Sequence, residues 1–118
     1  MGYDFNSNTP IYLQIIDYIK LQIISKKYKP NEKIPTVREL AIQFEVNPNT
    51  VQKALVELEK GGLIYAESTN GRFVTTNEQL ILQVFNQTVQ QEINKFYVYM
   101  QNLGLTEQEV NELFRKKE

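Results

Sequence analysis

The sequence has no cysteine, no histidine and no tryptophan among its 118 residues. The lack of cysteine excludes disulfides, thiolate metal sites and thiol nucleophiles. The lack of histidine removes the usual general base of enzymes and the commonest nitrogen ligand of metals. Most catalytic arrangements are therefore missing, and we expect neither an enzyme nor a metal or other cofactor.

Long apolar runs are also lacking. No stretch approaches the ~20 residues that span a membrane, and the start, "MGYDFNSNTPIYLQ", lacks the basic and apolar regions of a signal peptide. We therefore expect a cytoplasmic protein with no membrane partner. Hydrophobic residues make up 42% of the chain, which is enough for the core of one domain, or of a small domain with an appendage.

The sequence has no large surplus of either charge. The net charge is −1, with 9 Lys and Arg against 8 Asp and Glu in residues 1–77, and 4 against 6 in residues 78–118. Strong nonspecific binding to nucleic acid needs a large positive surplus. If the protein binds nucleic acid, its basic groups must be concentrated at one place.

The first half of the chain predicts three helices. The segment "TPIYLQIIDYIKLQIISKK" predicts a helix with Thr9 as N-cap and Pro10 at the first helical position. "YKPNEKIP" breaks this pattern and leaves at most a very short strand at residues 33–34. "TVRELAIQFEV" predicts a second helix, since Thr36 and Glu39 have the spacing of a capping box.

The third helix lies in "NPNTVQKALVELEKGGLI". Asn47 is a good N-cap, Pro48 takes the first helical position, and Gly61 or Gly62 provides the left-handed stop. The helical spacing divides its residues into two sets. The apolar set faces the core: Val51, Ala54, Leu55 and Leu58. The polar set faces outward: Asn49, Thr50, Gln52, Lys53 and Glu57.

A hairpin follows, because the β-favouring runs 63–66 and 73–76 flank "STNG", in which Asn70-Gly71 is a strong turn signal. From Glu78 to Leu103 we predict one long helix that Gly104 ends. Thr106 and Glu109 then cap a short final helix. An apolar seam recurs every three or four residues along both: Ile81, Phe85, Val89, Ile93, Phe96, Met100 and Leu103, then Val110, Leu113 and Phe114.

This order predicts a mainly α fold with a small β-hairpin wing. Residues 1–76 form a winged helix-turn-helix domain in this prediction, and residues 77–118 form a two-helix dimerisation arm. The long helix has too little of its own chain to cover its apolar surface, so we expect a second copy to cover it. The alternative is that the seam packs only against its own domain.

The stretch "IPTVRELAIQFEVNPNTVQKALVELEKGGLIYAESTNGRFV" resembles the N-terminal DNA-binding signature of the GntR family of transcriptional regulators. The short two-helix tail is similar to that of the YtrA subfamily. The resemblance implies a homodimeric transcriptional regulator that binds an inverted-repeat operator in double-stranded DNA, most often a repressor, with ABC transporter genes as frequent targets. It names no small-molecule effector.

Three positions depart from the family pattern. Asn47-Pro48 stands where the family usually has Ser-Arg, Gln52 stands where a further Arg often follows Thr-Val, and the wing reads Thr69-Asn70-Gly71 in place of Gly-x-Gly. These changes remove expected positive charge and one flexible residue of the wing.

Residues at the start of the second helix, the start of the third helix and the wing form the predicted DNA-binding set. Asn49 and Gln52 can pair with adenine, and Thr50 can bind a phosphate or touch a thymine methyl group. Arg72 would approach the minor groove. The full set is Thr36, Arg38, Asn47, Asn49, Thr50, Gln52, Lys53, Asn70, Gly71 and Arg72.

Other interpretations remain open at this point. Arg38 can instead pair with a carboxylate such as Glu39 or Glu45, and Gln52 and Lys53 can belong to a solvated face. The whole outward face can dock another protein, which makes the chain a winged-helix interaction module. A nuclease that uses carboxylate-bound magnesium is disfavoured, since no cluster of carboxylates has suitable spacing.

Overall fold

The computed structural model describes residues 4–116 and has five helices and one hairpin in that range. The order is α1 (Ile11–Ile24), α2 (Val37–Phe44), α3 (Pro48–Lys60), β1 (Ile64–Ala66), β2 (Arg72–Val74), α4 (Glu78–Asn102) and α5 (Glu107–Lys116). The mainly α fold with a β-hairpin after the third helix is therefore confirmed. None of the helices in this part of the chain is long and apolar enough to cross a membrane.

The start of α1 differs from the prediction by one residue. Pro10, not Thr9, is the N-cap, and no side chain caps the helix. The backbone of Pro10 is extended, with ψ of 139°, so the helix begins only at Ile11. The carbonyl of Thr9 instead accepts a hydrogen bond from Nε2 of Gln14 at 2.8 Å. This hydrogen bond fastens the chain before α1, but it is not a cap, because it satisfies none of the free N–H groups of the first turn.

The turn between α2 and α3 depends on local capping. The predicted capping box is present, because the Thr36 hydroxyl accepts from the backbone N–H of Glu39 while the Glu39 carboxylate accepts from the N–H of Thr36. α2 ends at Glu45, which adopts the left-handed conformation with φ of 57°. Asn47 then caps α3 as predicted. The left-handed residue after α3 is Gly62, with φ of 83°.

The hairpin pairs β1 and β2 antiparallel, with Tyr65 opposite Phe73. Both strands are one residue shorter than predicted. Lys33 forms an isolated bridge to Phe73, and the N–H of Ile34 donates to the carbonyl of Arg72 at 2.9 Å. The predicted short strand is therefore a bridge that attaches the chain before α2 to the outer edge of the wing.

The chain divides into two compact units, one ending at Leu82 and the other beginning at Gln83. The predicted division at residues 76 and 77 concerns functional parts and stays a prediction. The core of the first unit comes from α1, α2, α3, the hairpin and the first turn of α4: Ile15, Ile19, Ile23, Leu40, Phe44, Val51, Leu55, Leu58, Ile64, Val74 and Ile81.

The second unit holds most of α4 and all of α5. Val110 is buried, and the hydroxyl of Tyr97 hydrogen-bonds Oδ1 of Asn111 at 2.7 Å. The rings of Phe96 and Phe114 lie 5.9 Å apart. The capping box of α5 is formed as predicted, because the backbone and side chains of Thr106 and Glu109 exchange two hydrogen bonds.

Candidate nucleic-acid interface

The first turn of α3 is held outward by its own cap and by the burial of its opposite face. Oδ1 of Asn47 accepts a hydrogen bond from the backbone N–H of Asn49 at 2.7 Å, and Pro48 occupies the first helical position. Val51, Ala54, Leu55 and Leu58 are buried on the other face. Because one face is fixed in the core, the helix presents the polar residues of its first two turns to solvent.

Three predicted contact residues on this turn have side chains without a partner. The side chains of Asn49, Thr50 and Gln52 make no hydrogen bond with any residue between 4 and 116. Asn49 and Gln52 are exposed, and Thr50 is half-buried. Their amide and hydroxyl groups are therefore available to an external partner that offers both donors and acceptors.

Lys53 lies one residue further along α3, and its ammonium group is not simply solvated. Its Nζ lies 4.0 Å from the centre of the Tyr12 ring, a cation–π contact. Tyr12 is in the first turn of α1, so the two helices position this charge together. The predicted site did not include Tyr12, because nothing local in the sequence relates it to α3.

The start of α2 supplies a free cation. Arg38 is exposed, and no ion pair or hydrogen bond engages its side chain within the described residues. Its two candidate partners, Glu39 and Glu45, do not pair with it. The pKa of Glu39 is lowered, first by the backbone hydrogen bond from Thr36 and then by the Thr36 hydroxyl. That carboxylate thus belongs to the capping box rather than to Arg38.

The tip of the wing is closed by backbone hydrogen bonds. The N–H of Asn70 donates to the carbonyl of Glu67 at 2.8 Å, and the N–H of Glu67 donates to the carbonyl of Gly71 at 2.9 Å. Ser68 and Gly71 have positive φ, of 49° and 113°. The tight turn thus lies earlier than Asn70-Gly71 alone suggests, and the exposed Asn70 side chain makes no hydrogen bond in this part of the chain.

Arg72 lies in β2 and does not extend from the tip. Its Nε is 3.2 Å from Oε2 of Glu59 in the last turn of α3, and the two side chains are 20% and 26% exposed. Nε has no aligned hydrogen-bond acceptor, so this contact is an ion pair without good hydrogen-bond geometry. The predicted minor-groove role of Arg72 therefore competes with an internal partner.

Lys33 is an exposed cation at the wing that the predicted set did not include. A Cβ atom on Gly71 would meet Cε of Lys33 at 2.8 Å, so the lysine stem crosses the backbone of Gly71. No carboxylate lies within ion-pair distance of its ammonium group among residues 4–116, although Lys33 adds, after Thr36, to the lowered pKa of Glu39. The only local signal in the sequence was the short extended segment before Pro35, which does not reveal its partner across the wing.

The described residues offer little for other chemistry. They contain no group of three or more side chains that could hold a metal ion. A cleft of about 100 Å³ lies between the start of α2 and the base of the wing, well below the ~300 Å³ of ordinary ligand pockets. A larger groove of about 530 Å³ runs along α4 beside Val98 and Tyr99 and is wide open to solvent. Most of the predicted set instead lies at three outward polar segments: Thr36 and Arg38 at the start of α2, Asn47 to Lys53 at the start of α3, and Asn70 and Gly71 at the wing. Arg72 is the exception, because it pairs with Glu59.

Comparison with known proteins places this arrangement among bacterial regulators. The profile described as "Bacterial regulatory proteins, gntR family" matches residues 11–74, more than half of the chain. The chain is 36% identical to the uncharacterized HTH-type transcriptional regulator YhcF of Bacillus subtilis, over 95% of this chain and 93% of YhcF. It is 43% identical to the HTH-type transcriptional repressor YtrA of Bacillus subtilis, over 67% of this chain and 61% of YtrA.

Solved structures agree with this relation. A GntR family transcriptional regulator from Listeria monocytogenes superposes with a TM-score of 0.85 and 35% identity, covering 95% of this chain and 98% of the other. AraR(DBD), solved in complex with operator ORX1, superposes with a TM-score of 0.58 and 33% identity, covering 64% of this chain and 95% of the other.

Proposed function

Since this chain belongs to the gntR family of bacterial regulatory proteins, we propose that it is a homodimeric repressor of transcription that binds an inverted-repeat DNA operator. The family consists of regulators rather than enzymes, and the chain is accordingly not an enzyme. The observation that carries the proposal is the start of α3, where the side chains of Asn49, Thr50 and Gln52 make no hydrogen bond with any residue between 4 and 116.

The chemistry of this turn suits the major groove of DNA. The carboxamides of Asn49 and Gln52 can each pair with the donor and acceptor edge of adenine. The Thr50 hydroxyl can donate to a phosphate, and its methyl group can contact that of thymine. Lys53, held over Tyr12, presents its charge on the same helix to a phosphate or a guanine.

The two capping residues, Thr36 and Asn47, each have a hydrogen-bond donor that can contact DNA. The Thr36 hydroxyl accepts from the N–H of Glu39, and its proton also favours the Glu39 carboxylate, so a phosphate would compete with Glu39 for that proton. Oδ1 of Asn47 is engaged with Asn49, whereas its amide group makes no hydrogen bond with another of the described residues. Arg38, close to Thr36 in the chain, can form the bidentate contact with guanine or with phosphate that a guanidinium favours. At the wing, Asn70 and Gly71 bring the tip toward the minor groove.

The apolar seam of α4 and α5 supports dimerisation. Phe85, Val89, Ile93 and Phe96 are each about 40% exposed, and Leu103, Leu113 and Phe114 more than half exposed. An isolated chain rarely leaves such a row open to water, and a second copy with the same row would cover it. A dimer also suits an inverted repeat, whose half-sites lie one or more helical turns, ~34 Å each, apart.

The finer assignments follow the relatives. YtrA, with 43% identity over part of the chain, is named a repressor, and the short two-helix tail supports a relation to it. We therefore assign the chain to the YtrA subfamily, with ABC transporter genes as the expected targets. As a regulator of transcription it would work in the cytoplasm, where bacterial DNA lies.

Selection of bound fragments from random double-stranded DNA with the purified protein tests this function directly. We expect an enriched inverted repeat, and binding that weakens steeply as the salt concentration rises. Failure to enrich any sequence, or binding to DNA that does not depend on salt, would contradict the proposal. Such a result would favour the alternative, in which the same face docks another protein.

A further inference from the structure

The ion pair between Glu59 and Arg72 joins the last turn of α3 to the second strand of the wing. Both side chains are only about a quarter exposed, so solvent and salt screen this pair less than a fully exposed one. Nε of Arg72 is buried and has no aligned acceptor, so the nearby Glu59 carboxylate is what compensates its charge. The pair therefore fixes the position of the wing relative to α3.

Arg72 would lose this compensation by turning toward DNA. Its backbone is held on two sides. It pairs with Ala66 in the hairpin, and its carbonyl accepts a hydrogen bond from the N–H of Ile34. A side chain that reached outward would leave Glu59 as an unpaired and partly buried carboxylate. Such a carboxylate is costly in itself.

The side chain of Lys33, unlike that of Arg72, is not held in an ion pair by any of the described residues. Its stem lies across Gly71, with Cε 2.8 Å and Nζ 3.6 Å from where a Cβ on that glycine would stand. Its side chain is exposed, and no carboxylate within the described residues forms an ion pair with it. A Cβ at position 71 would push the end of the lysine side chain aside, whereas glycine lets it lie across the backbone with its ammonium group beside the turn.

We propose that the wing offers Lys33, and not Arg72, to the DNA backbone, and that Arg72 is a positioning residue that holds the wing against α3 through Glu59. This inference rests on the proposed function, since it concerns how the same surface meets DNA. It divides two tasks that the sequence alone would give to Arg72: supplying charge to a phosphate and keeping the wing in place.

The dependence of operator binding on salt separates the two tasks. The slope of log affinity against log salt falls by about one for each phosphate that the protein no longer neutralises. We expect Lys33→Gln to lower the slope by about one per subunit. Arg72→Gln and Glu59→Gln should weaken binding to similar extents with the wild-type slope, and their double variant should bind no more weakly than either single one.

The conservative variant Arg72→Lys provides a further test of the positioning role. Arg72→Lys retains a charge that can pair with Glu59, so it should recover most of the affinity that Arg72→Gln loses, again with the wild-type slope. A lower slope for Arg72→Gln together with an unchanged slope for Lys33→Gln would overturn the inference. Unchanged affinity in Glu59→Gln would overturn the positioning role.

A second measurement without DNA tests the ion pair alone. In a double-mutant cycle on the unfolding midpoint, the losses from Glu59→Gln and Arg72→Gln should be clearly less than additive. Additive losses would refute the positioning role even if DNA binding is normal. If the wild-type protein selects no operator, the proposed function and the role of Lys33 both fail, while the cycle still decides whether Glu59 and Arg72 act as a pair.

Discussion

At the scale of single residues, Arg38 stands out because the structure leaves its guanidinium unpaired. It lies at the start of α2, exposed, beside a glutamate that is occupied by its own cap. An exposed arginine that forms no ion pair with any carboxylate among the described residues is well suited to recognise a phosphate or a guanine. The sequence suggested this role, and the structure removes the two internal partners that competed with it.

Arg38→Ala should weaken operator binding by about 1–3 kcal/mol, because the protein would then make one good base or backbone contact fewer. Titration of the selected operator measures the change. Arg115→Ala is the matched control, because it removes an exposed arginine from α5 in the other compact unit. Equal affinity of the wild-type and Arg38→Ala proteins would remove Arg38 from the contact set.

Glu45 is a second residue of interest, because its backbone conformation lowers the stability of the protein. It is the C-cap of α2 and has the left-handed backbone conformation, with φ of 57°. A residue with a Cβ atom adopts this conformation only at an energetic penalty. The backbone there is required, because the short connection between α2 and α3 must reverse direction. The sequence pattern predicted the connection but not which residue would carry the strain.

Glu45→Gly should therefore raise the free energy of unfolding by roughly 0.5–1 kcal/mol, since glycine tolerates positive φ. Urea unfolding measures the difference. Glu45→Ala is the control, because it removes the carboxylate and keeps the strained backbone, and it should gain nothing. Equal gains from both variants would mean that the charge, rather than the backbone, is what destabilises this turn.

At the scale of elements, the start of α3 combines a structural and a binding role in Asn47. Its Oδ1 caps the helix by accepting from Asn49, while its amide group stays free. Caps of this kind act over two or three residues, which is why the sequence predicted this one correctly. Whether the same residue touches DNA is a separate matter that stability measurements do not address.

Two variants separate these roles. Asn47→Ala removes the cap and should lower the free energy of unfolding by about 1 kcal/mol. Asn47→Asp keeps the cap, so its stability should be close to that of the wild type, but its negative charge should weaken operator binding if phosphates lie nearby. Normal operator binding by a stable Asn47→Asp protein would place Asn47 outside the interface.

At the scale of the whole molecule, the apolar seam of α4 calls for a partner surface. Ile93 is 42% exposed, although it belongs to a row that continues into the buried Ile81. The helix is 25 residues long, about 37 Å, and its other face is mostly polar. The proposed dimer would cover this row with its own copy.

Ile93→Glu should then shift the protein from dimer to monomer in sedimentation experiments, because it buries unpaired carboxylates at a cost of more than about 2 kcal/mol per dimer. Gln87→Glu adds the same charge to the opposite face of the helix and should leave the dimer intact. A wild-type protein that is already monomeric at high concentration would refute the dimer itself.

The boundary between the two compact units leads to a related prediction. Ile81 is 2% exposed and completes the core of the first unit, although it lies in α4. A chain that ends at Leu82 should fold as a monomer and bind the operator more weakly than the full chain. A chain that ends at Asn77 loses Ile81 and should be less stable by roughly 2–4 kcal/mol, measured by urea unfolding. Equal stability of the two truncated proteins would show that Ile81 is dispensable.

The sequence by itself determined the features that act over a few residues. Both capping boxes, the cap of α3 and the helical periods depend on groups two to four positions apart, so they can be recognised in the sequence alone. The order of these elements then predicted the mainly α fold and its hairpin. At the start of α1, where no side chain caps the helix and Pro10 is extended, the predicted boundary differed by one residue.

The contacts of the charged side chains depend on the tertiary structure and could not be predicted from the local sequence. Arg72 is engaged by Glu59, Lys53 lies over Tyr12, and Lys33 crosses Gly71. In each case the partner comes from another element, and contact depends on how helices and hairpin pack around the common core. The chemistry of a side chain limits the contacts that it can make. Packing determines which of them forms, because burial and distance set the interaction energy of each charged group.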